Sequence, residues 1–143
     1  MALMKIVIII LLVIFSYQSV FAESIYGEWK FEEMIYRNER IPRADPALNL
    51  RWIFFENGTE RLYWDRGTAD FCERFATFVF EKGMLQEKVF ALNPRNGMSC
   101  SQDPDMQPNG VASTPAELVQ DELWLHLLVG DEELIYILRK PKP

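Results

Sequence analysis

The stretch Tyr26-Gly27-Glu28-Trp29-Lys30-Phe31-Glu32-Glu33-Met34-Ile35-Tyr36 has the two-residue periodicity of a long β-strand. Successive side chains in a strand point to opposite faces. In a regular strand one face carries Trp29, Phe31, Glu33 and Ile35. The rest of the chain up to Ile135-Tyr136-Ile137-Leu138-Arg139 also reads as strands joined by turns, so this first strand sets the fold class.

The clearest hairpin follows, with Asn57-Gly58 between the runs Leu50 to Glu56 and Thr59 to Asp65. Asn-Gly is typical of a two-residue turn, because both of its central residues need positive φ. Such a turn pairs neighbouring strands so that one face carries Leu50, Trp52, Phe54, Arg61 and Tyr63. Asn57-Gly58-Thr59 also satisfies the glycosylation sequon, but the turn explains these residues without a glycan.

Further runs predict five more strands, separated by two irregular stretches. The strands are Glu73 to Phe80, Met84 to Leu92, a weak Glu117 to Gln120, Leu123 to Val129, and Glu133 to Lys140. Prolines assign residues 41–49 and 93–115 to loops. Eight strands with mostly short connections predict an all-β protein, an eight-stranded antiparallel up-and-down β-barrel.

Residues 1–22 have the three regions of a secretory signal peptide: a basic start, the apolar run Ile6 to Phe15, and small residues before Glu23. The alternative is a membrane anchor, but this run is shorter than the roughly 18–20 residues that span a bilayer. We therefore expect a single exported domain, 23–143, periplasmic or extracellular, with no membrane span after cleavage. Removing Lys5 changes the net charge from −6 to −7, which argues against nucleic acid as a partner.

Cys72 and Cys100 are the two cysteines of the sequence. In an exported protein such a pair is most simply a disulfide, here closing a loop of about 29 residues. The alternative is a redox or metal-binding pair, although the spacing matches no C-x-x-C pattern. The fold prediction thus includes one disulfide.

The signal peptide, the Gly27-Glu28-Trp29 motif on the first strand, the eight-strand meander and Arg139 on the last strand together resemble the lipocalin-like, calycin family. In that family the tryptophan packs at the closed end of the barrel with a late arginine over it. The resemblance therefore assigns structural roles to Gly27, Trp29 and Arg139, with Lys140 as the alternative cation. The chain is most similar to a compact bacterial lipocalin-like domain.

Aromatic side chains in the strands are candidates to line a ligand cavity, with two polar side chains that orient the ligand. The candidate ligand-binding residues are Trp29, Trp52, Phe54, Arg61, Tyr63 and Trp124. Two alternatives remain. A barrel this small is often filled by its own side chains, and Arg61 and Tyr63 also suit cross-strand partners on a solvated face.

Metal binding and catalysis have little support in the sequence. His126 is the single histidine, and no cysteine or aspartate stands at ligand spacing from it. The segment Met98 to Met106 mixes sulfur and carboxylates and suggests copper, but a disulfide at Cys100 removes the thiolate. No nucleophile motif is present, so we expect neither a cofactor nor an enzyme.

Two functional hypotheses follow. In the first, the protein is an exported lipocalin-like carrier for a small hydrophobic or amphipathic ligand held in the barrel. In the second, it is a protein-interaction module, such as an inhibitor or envelope accessory factor, acting through an outer aromatic face or the 93–115 loop. Outward apolar residues are also consistent with a homodimer.

Overall fold

A computed structural model describes residues 24–143, so the predicted signal peptide, 1–22, lies outside the described residues. The chain forms β1 (Gly27–Tyr36), β2 (Glu39–Pro42), β3 (Asn49–Phe54), β4 (Thr59–Asp65), β5 (Phe71–Glu81), β6 (Met84–Leu92), β7 (Val111–Val119), β8 (Glu122–Val129) and β9 (Glu132–Arg139). Within this part of the chain, no helix is long and apolar enough to cross a membrane.

Eight of the strands in residues 24–143 form a closed antiparallel barrel, which confirms the predicted fold class. From β3 to β9 each strand pairs with the next, β1 pairs with β3, and β9 pairs back with β1. Closure gives each of these strands two neighbours.

The first strand has three partners because β3 and β2 share one of its edges. Residues 27–30 pair with β3 and residues 33–36 with β2, while the opposite edge pairs with β9. A β-bulge lies between Phe31 and Glu33 in the pairing with β9. The extra residue reverses the alternation, so Met34 packs against the core and Glu33 lies outside with Ile35. The prediction that Glu33 and Ile35 share the face of Trp29 is therefore wrong.

The prediction that residues 41–49 form a loop is wrong for Ile41 and Pro42, which belong to β2. Arg37 and Asn38 have φ values of 51° and 65°, so they form a tight two-residue turn. Both positive φ angles match the twist of a hairpin, which returns Glu39 to Pro42 along β1. The loop therefore begins after Pro42.

The β3–β4 hairpin is confirmed, but its predicted register is wrong by one residue. Gly58 N donates to Phe55 O at 3.1 Å, and Phe55 N donates to Thr59 O at 2.9 Å, so the turn has three residues. Trp52 consequently pairs with Leu62, and Tyr63 with Arg51. A one-residue slip moves every side chain of a strand to the opposite face.

The loop after β6 ends at residue 110 instead of residue 115. Pro115 lies inside β7, where it pairs with Met84. Its neighbour Ala116 donates a hydrogen bond to Gly83 O at 2.9 Å, so the β6–β7 ladder does not need the N–H that proline lacks.

The Cys72–Cys100 disulfide is confirmed, with a Cα–Cα distance of 5.6 Å. It ties the start of β5 to two short 3₁₀ segments, Met98–Gln102 and Pro104–Met106. Met106 is only 1% exposed, so this loop packs over the end of the barrel.

The core lies along the barrel axis and is made of large apolar side chains. Its buried members are Ile25, Trp29, Phe31, Leu50, Trp52, Phe54, Leu62, Cys72, Phe78, Leu85, Cys100, Met106, Ala116, Leu123, Leu125 and Leu138. The cluster includes both Trp29 of β1 and Met106 of the 3₁₀ loop, so it extends from the first strand to this loop.

We predict that the double variant Cys72→Ala, Cys100→Ala loses about 3 kcal/mol of unfolding free energy, because the unfolded chain regains the entropy of a 29-residue loop. Urea unfolding monitored by tryptophan fluorescence would measure the loss. Ser99→Ala, in the same loop, is the control and should leave the midpoint unchanged. A loss below about 1 kcal/mol in the double variant would show that the disulfide does not restrain the loop.

Candidate functional site in the barrel and its open seam

Trp29 closes one end of the barrel. Its side chain is fully buried, and its indole Nε1 donates a 2.6 Å hydrogen bond to Ile25 O. Lys140 Nζ lies 5.0 Å from the centroid of the tryptophan ring, in a cation–π arrangement. Gly27 enters β1 with a φ of 109°, a conformation that favours glycine. The cation over Trp29 is therefore Lys140.

Arg139 lies on the outer surface, so its predicted position over Trp29 is wrong. Leu138 faces the core, and the alternation of a strand then turns Arg139 outward. Its Nη2 donates to Glu33 Oε2 and to Glu122 Oε1, both at 2.6 Å. The residue joins β9 to the outside of β1 and β8.

Trp124 belongs to the same outer cluster and does not line the interior. Its Nε1 donates to Glu122 Oε2 at 2.7 Å, and the Arg40 guanidinium lies 5.7 Å from the centroid of its ring. Burial opposes the charge on Glu122, but hydrogen bonds from Arg40, Trp124 and Arg139 outweigh it and lower the pKa of Glu122 to about 2. The cluster is an ion-pair network on the outside of the sheet.

Arg61 and Tyr63 also face outward, as the corrected hairpin register requires. Arg61 Nε donates to a carboxylate oxygen of Glu73. The Tyr63 hydroxyl donates to Asp65 at 3.0 Å, and its ring stacks on Phe71 with centroids 5.6 Å apart. The prediction that these two side chains share the face of Trp52 is wrong, because they are cross-strand partners outside.

Trp52 and Phe54 lie inside the barrel with Trp29. Phe54 is 1% exposed and packs edge-on against Phe78, with ring centroids 4.9 Å apart. Trp52 is 8% exposed, and its Nε1 donates to Glu87 Oε1 at 3.2 Å. The interior therefore holds three of the six candidate residues, and one of these meets a buried charge.

A buried charged cluster, Glu60, Arg74 and Glu87, occupies the middle of the barrel. Arg74 Nη2 lies 2.8 Å from Glu87 Oε1 and 3.4 Å from Glu60 Oε1. The side chains of Glu60, Arg74 and Glu87 are 0%, 3% and 4% exposed. Within residues 24–143 both Glu60 carboxyl oxygens and Arg74 Nε lack a hydrogen-bond partner. A single guanidinium thus serves two carboxyl groups.

Burial dominates the protonation of this cluster. It raises the pKa of Glu60 to about 8, although the positive charge of Arg74 acts in the opposite direction. Burial also raises the pKa of Glu87. Glu60 is therefore neutral at pH 7.

The 3₁₀ loop places the carboxyl group of Asp105 near Glu87 and Arg74, with Asp103 beside it. The surrounding protein and the nearby Asp103 raise the pKa of Asp105. Asp103 accepts a 2.9 Å hydrogen bond from Trp64 Nε1. Burial, together with the charges of Asp105 and Asp103, raises the pKa of Tyr136. This end of the barrel is negatively charged.

The charged cluster is not predicted from the sequence, because a two-residue turn gives the wrong register for the β3–β4 hairpin. The correct register places Glu60 on the face of Phe54 and Leu62. A signal was present in β6, since Glu87 stands between Leu85 and Val89 at a period of two. A carboxylate on an otherwise apolar face indicates a buried charge.

An open seam lies between β7 and β8, where the two strands separate. Among the described residues they pair from Ala116–Leu125 to Val119–Glu122, whereas Val111 to Pro115 pairs with β6. Ala116 N–H points to β6, so the nitrogen of Pro115 points to β8 and has no hydrogen to donate. The ladder therefore stops at Pro115.

A cleft of about 430 Å³ fills this seam. Its lining consists of Ser113, Thr114, Pro115, His126, Leu127, Leu128 and Glu133. Thr114 and Leu127 share the inward faces of Ala116 and Leu125, which are buried. The cleft therefore leads from the outer surface towards the interior.

His126 stands at the outer rim of the seam between two carboxylates. Its Nδ1 lies 2.9 Å from Glu133 Oε1 and its Nε2 lies 3.0 Å from Glu117 Oε1. Partial burial disfavours the imidazolium, but the hydrogen bonds to Glu133 and Glu117 outweigh it and raise the pKa of His126. The histidine bridges β8 to β7 and β9.

The structure does not support a copper site in the 98–106 segment. Cys100 is in the disulfide, Met106 is buried, and Met98 is 94% exposed, so the sulfur atoms do not converge. In residues 24–143 no group of three or more His, Cys, Asp or Glu residues could hold a metal ion.

We predict that Glu60 makes the protein less stable as pH rises. The folded state keeps the Glu60 proton up to about pH 8, whereas the unfolded chain releases it near pH 4.5. The free energy of unfolding should therefore fall by up to about 5 kcal/mol as pH rises through that window. Glu60→Gln should remove this part of the pH dependence.

Urea unfolding at about pH 5 and about pH 9 would measure the effect. The control is Glu56→Gln on the exposed β3–β4 turn, which should keep the wild-type pH dependence. An unchanged dependence in Glu60→Gln would show that Glu60 is ionised in the folded protein.

Comparisons with known proteins identify the fold but not a function. No protein-family model matches the sequence, and no curated protein matches it. Two solved structures share the barrel. A lipocalin-like protein from Bacteroides uniformis aligns with a TM-score of 0.55 at 15% identity, covering 81% of this chain and 97% of that protein.

The second structure is an uncharacterized protein from Bacteroides eggerthii, with a TM-score of 0.51 at 14% identity. The alignment covers 82% of this chain and all of that protein. Identities this low establish architecture alone. Together with the closed eight-stranded barrel, they show that this protein has a lipocalin-like fold.

Proposed function

We propose that the protein is an exported, non-enzymatic carrier that binds a small amphipathic molecule in its barrel through the β7–β8 seam. The seam carries the proposal, because there the cleft reaches the inward-facing Thr114 and Leu127. A closed barrel of this size offers a ligand few other routes to its interior.

The chemistry of the cleft suits an amphipathic ligand. Pro115, Leu127 and Leu128 provide apolar surface, while Thr114 and His126 provide polar groups. Ligand pockets are mostly apolar with a few polar groups that fix orientation, and their volumes start at about 300 Å³. The cleft volume of about 430 Å³ falls in that range.

Glu87 of the buried charged cluster lies on β6, one strand beyond the seam, and Arg74 and Glu60 follow on β5 and β4. Glu87 pairs with Ala112 across β6 and β7, and Leu85 pairs with Thr114. The small side chain of Ala112 is therefore the neighbour of Glu87 on the side of the seam. Among the predicted aromatic residues, Trp52 is the one that we assign to ligand binding, because it is hydrogen-bonded to Glu87. Trp29 and Phe54 instead pack in the core at the closed end.

The second candidate is a protein-interaction module, and exposed apolar side chains on the outer face favour it. Phe90, Val79 and Phe55 are 58%, 49% and 45% exposed. A partner or a second copy of the chain that covers them would use this outer face, with or without the loop before β7. The packed core is compatible with either function.

Export predicts a processed chain. The full sequence should be expressed in a bacterium and the protein recovered from the extracytoplasmic fraction. Its intact mass should match a chain that starts at Glu23. This mass should be two hydrogens below that of the reduced chain, because the disulfide is formed. A chain that retains Met1 and stays with the membrane fraction would instead support the membrane-anchor alternative.

Blocking the seam should weaken ligand binding. Thr114→Trp places a large side chain in the cleft, so titration with the neutral fluorescent probe N-phenyl-1-naphthylamine should give an affinity at least about 10-fold lower. Val79→Trp, on the exposed outer face of β5, is the matched control and should bind as wild type. Equal probe affinity in Thr114→Trp and wild type would exclude the seam as the binding route.

A further inference from the structure

We infer that the polar end of the ligand is a cationic nitrogen, an alkylammonium or guanidinium, which pairs with Glu60 and Glu87 in the middle of the barrel. This inference rests on the proposed carrier function and specifies the ligand class. It starts from the two carboxyl oxygens of Glu60, which lack a hydrogen-bond partner among residues 24–143.

The unpartnered atoms are acceptors on a fully buried side chain. The side chain of Glu60 is 0% exposed. Neither of its carboxyl oxygens has a hydrogen-bond partner among residues 24–143. Burying such a group without partners costs free energy, so the site is incomplete as it stands. A donor with a positive charge would complete it.

The charge balance around Glu60 favours the same class of ligand. From β5 Arg74 provides one positive charge, which lies closer to Glu87 than to Glu60. From the loop, Asp105 acts on Glu87 and on Arg74. These carboxylates would repel an anionic head group and attract a cationic one.

Small side chains adjoin both carboxyl groups. Glu60 pairs with Ala76 across β4 and β5, and Glu87 pairs with Ala112 across β6 and β7. Alanine leaves the most space of any side chain with a Cβ. The apolar tail of a ligand in this position would extend past Thr114 and Leu127 into the seam.

Proton release is the expected consequence of binding. In the empty barrel Glu60 holds its proton up to about pH 8, because burial outweighs the attraction of Arg74. A bound cation favours the carboxylate, so Glu60 gives its proton to solvent as the ligand enters. The affinity for a cation should therefore rise with pH until Glu60 is ionised in the free protein.

Two ligands of equal tail length test the inference: decylamine, which is charged over this pH range, and decanol, which is neutral. Displacement of N-phenyl-1-naphthylamine at about 0.15 M salt would give both affinities at about pH 6.5 and pH 8.5. We expect the amine to bind at least about 10-fold more tightly than the alcohol at the higher pH, and to gain about 10-fold between the two. Decanol should bind equally at both.

Variants separate the buried site from general attraction by an acidic protein. Glu60→Gln should remove the pH dependence and most of the preference for the amine over decanol. Glu56→Gln removes the same charge from an exposed turn and should keep both properties. Loss of the preference in both variants would overturn the assignment to Glu60.

The remaining outcomes distinguish the two proposals. Equal binding of decylamine and decanol at both pH values would overturn the cationic ligand while leaving the carrier function intact. Failure of decylamine, decanol and the probe itself to bind would overturn the carrier function as well. These comparisons use the wild-type protein, so they do not depend on the folding of a variant.

Discussion

The pairing of β1 with β9 is the constraint on which the rest of the structure depends. It runs from Lys30–Arg139 to Tyr36–Leu134 and converts an open sheet into a barrel. An open sheet of these strands would expose the apolar face that carries Trp29 and Leu138, both fully buried on closure. Because of the bulge after Phe31, β1 pairs with β9 along its length while Glu33 points outward. There Glu33 accepts a hydrogen bond from Arg139.

The buried charges at Glu60, Arg74 and Glu87 are a poor way to stabilise a fold. Replacing a buried ion pair with apolar side chains is often neutral or stabilising, because desolvation offsets the attraction. Stability alone therefore gives no reason for these three residues to lie in the barrel. The proposed binding site would give these residues a role, whereas the outer network around Glu122 joins three strands and has a structural role.

Most of the architecture could be predicted from local patterns, and the site could not. Alternating runs and turn residues predict the strands, and two cysteines after a predicted signal peptide predict the disulfide. The side assigned to each residue depends on single insertions: one extra residue in the turn at Gly58 moves Arg61 and Tyr63 outside, and one bulge does the same to Glu33. The seam depends on the point where β7 separates from β8, which is next to Pro115. From the sequence, this proline predicts a loop and not a strand with an unpaired edge.

Pro115 also affects how the molecule behaves towards other chains. A complete barrel has no free strand edges, but the seam restores two of them, and unpaired edges are templates for intermolecular β-sheet growth. A proline at this position removes a donor from one edge, and the charged Glu117–His126–Glu133 bridge crosses the boundary of the gap. Pro115, which ends the β7–β8 ladder and leaves the seam open, thereby also protects the barrel against aggregation through the same opening.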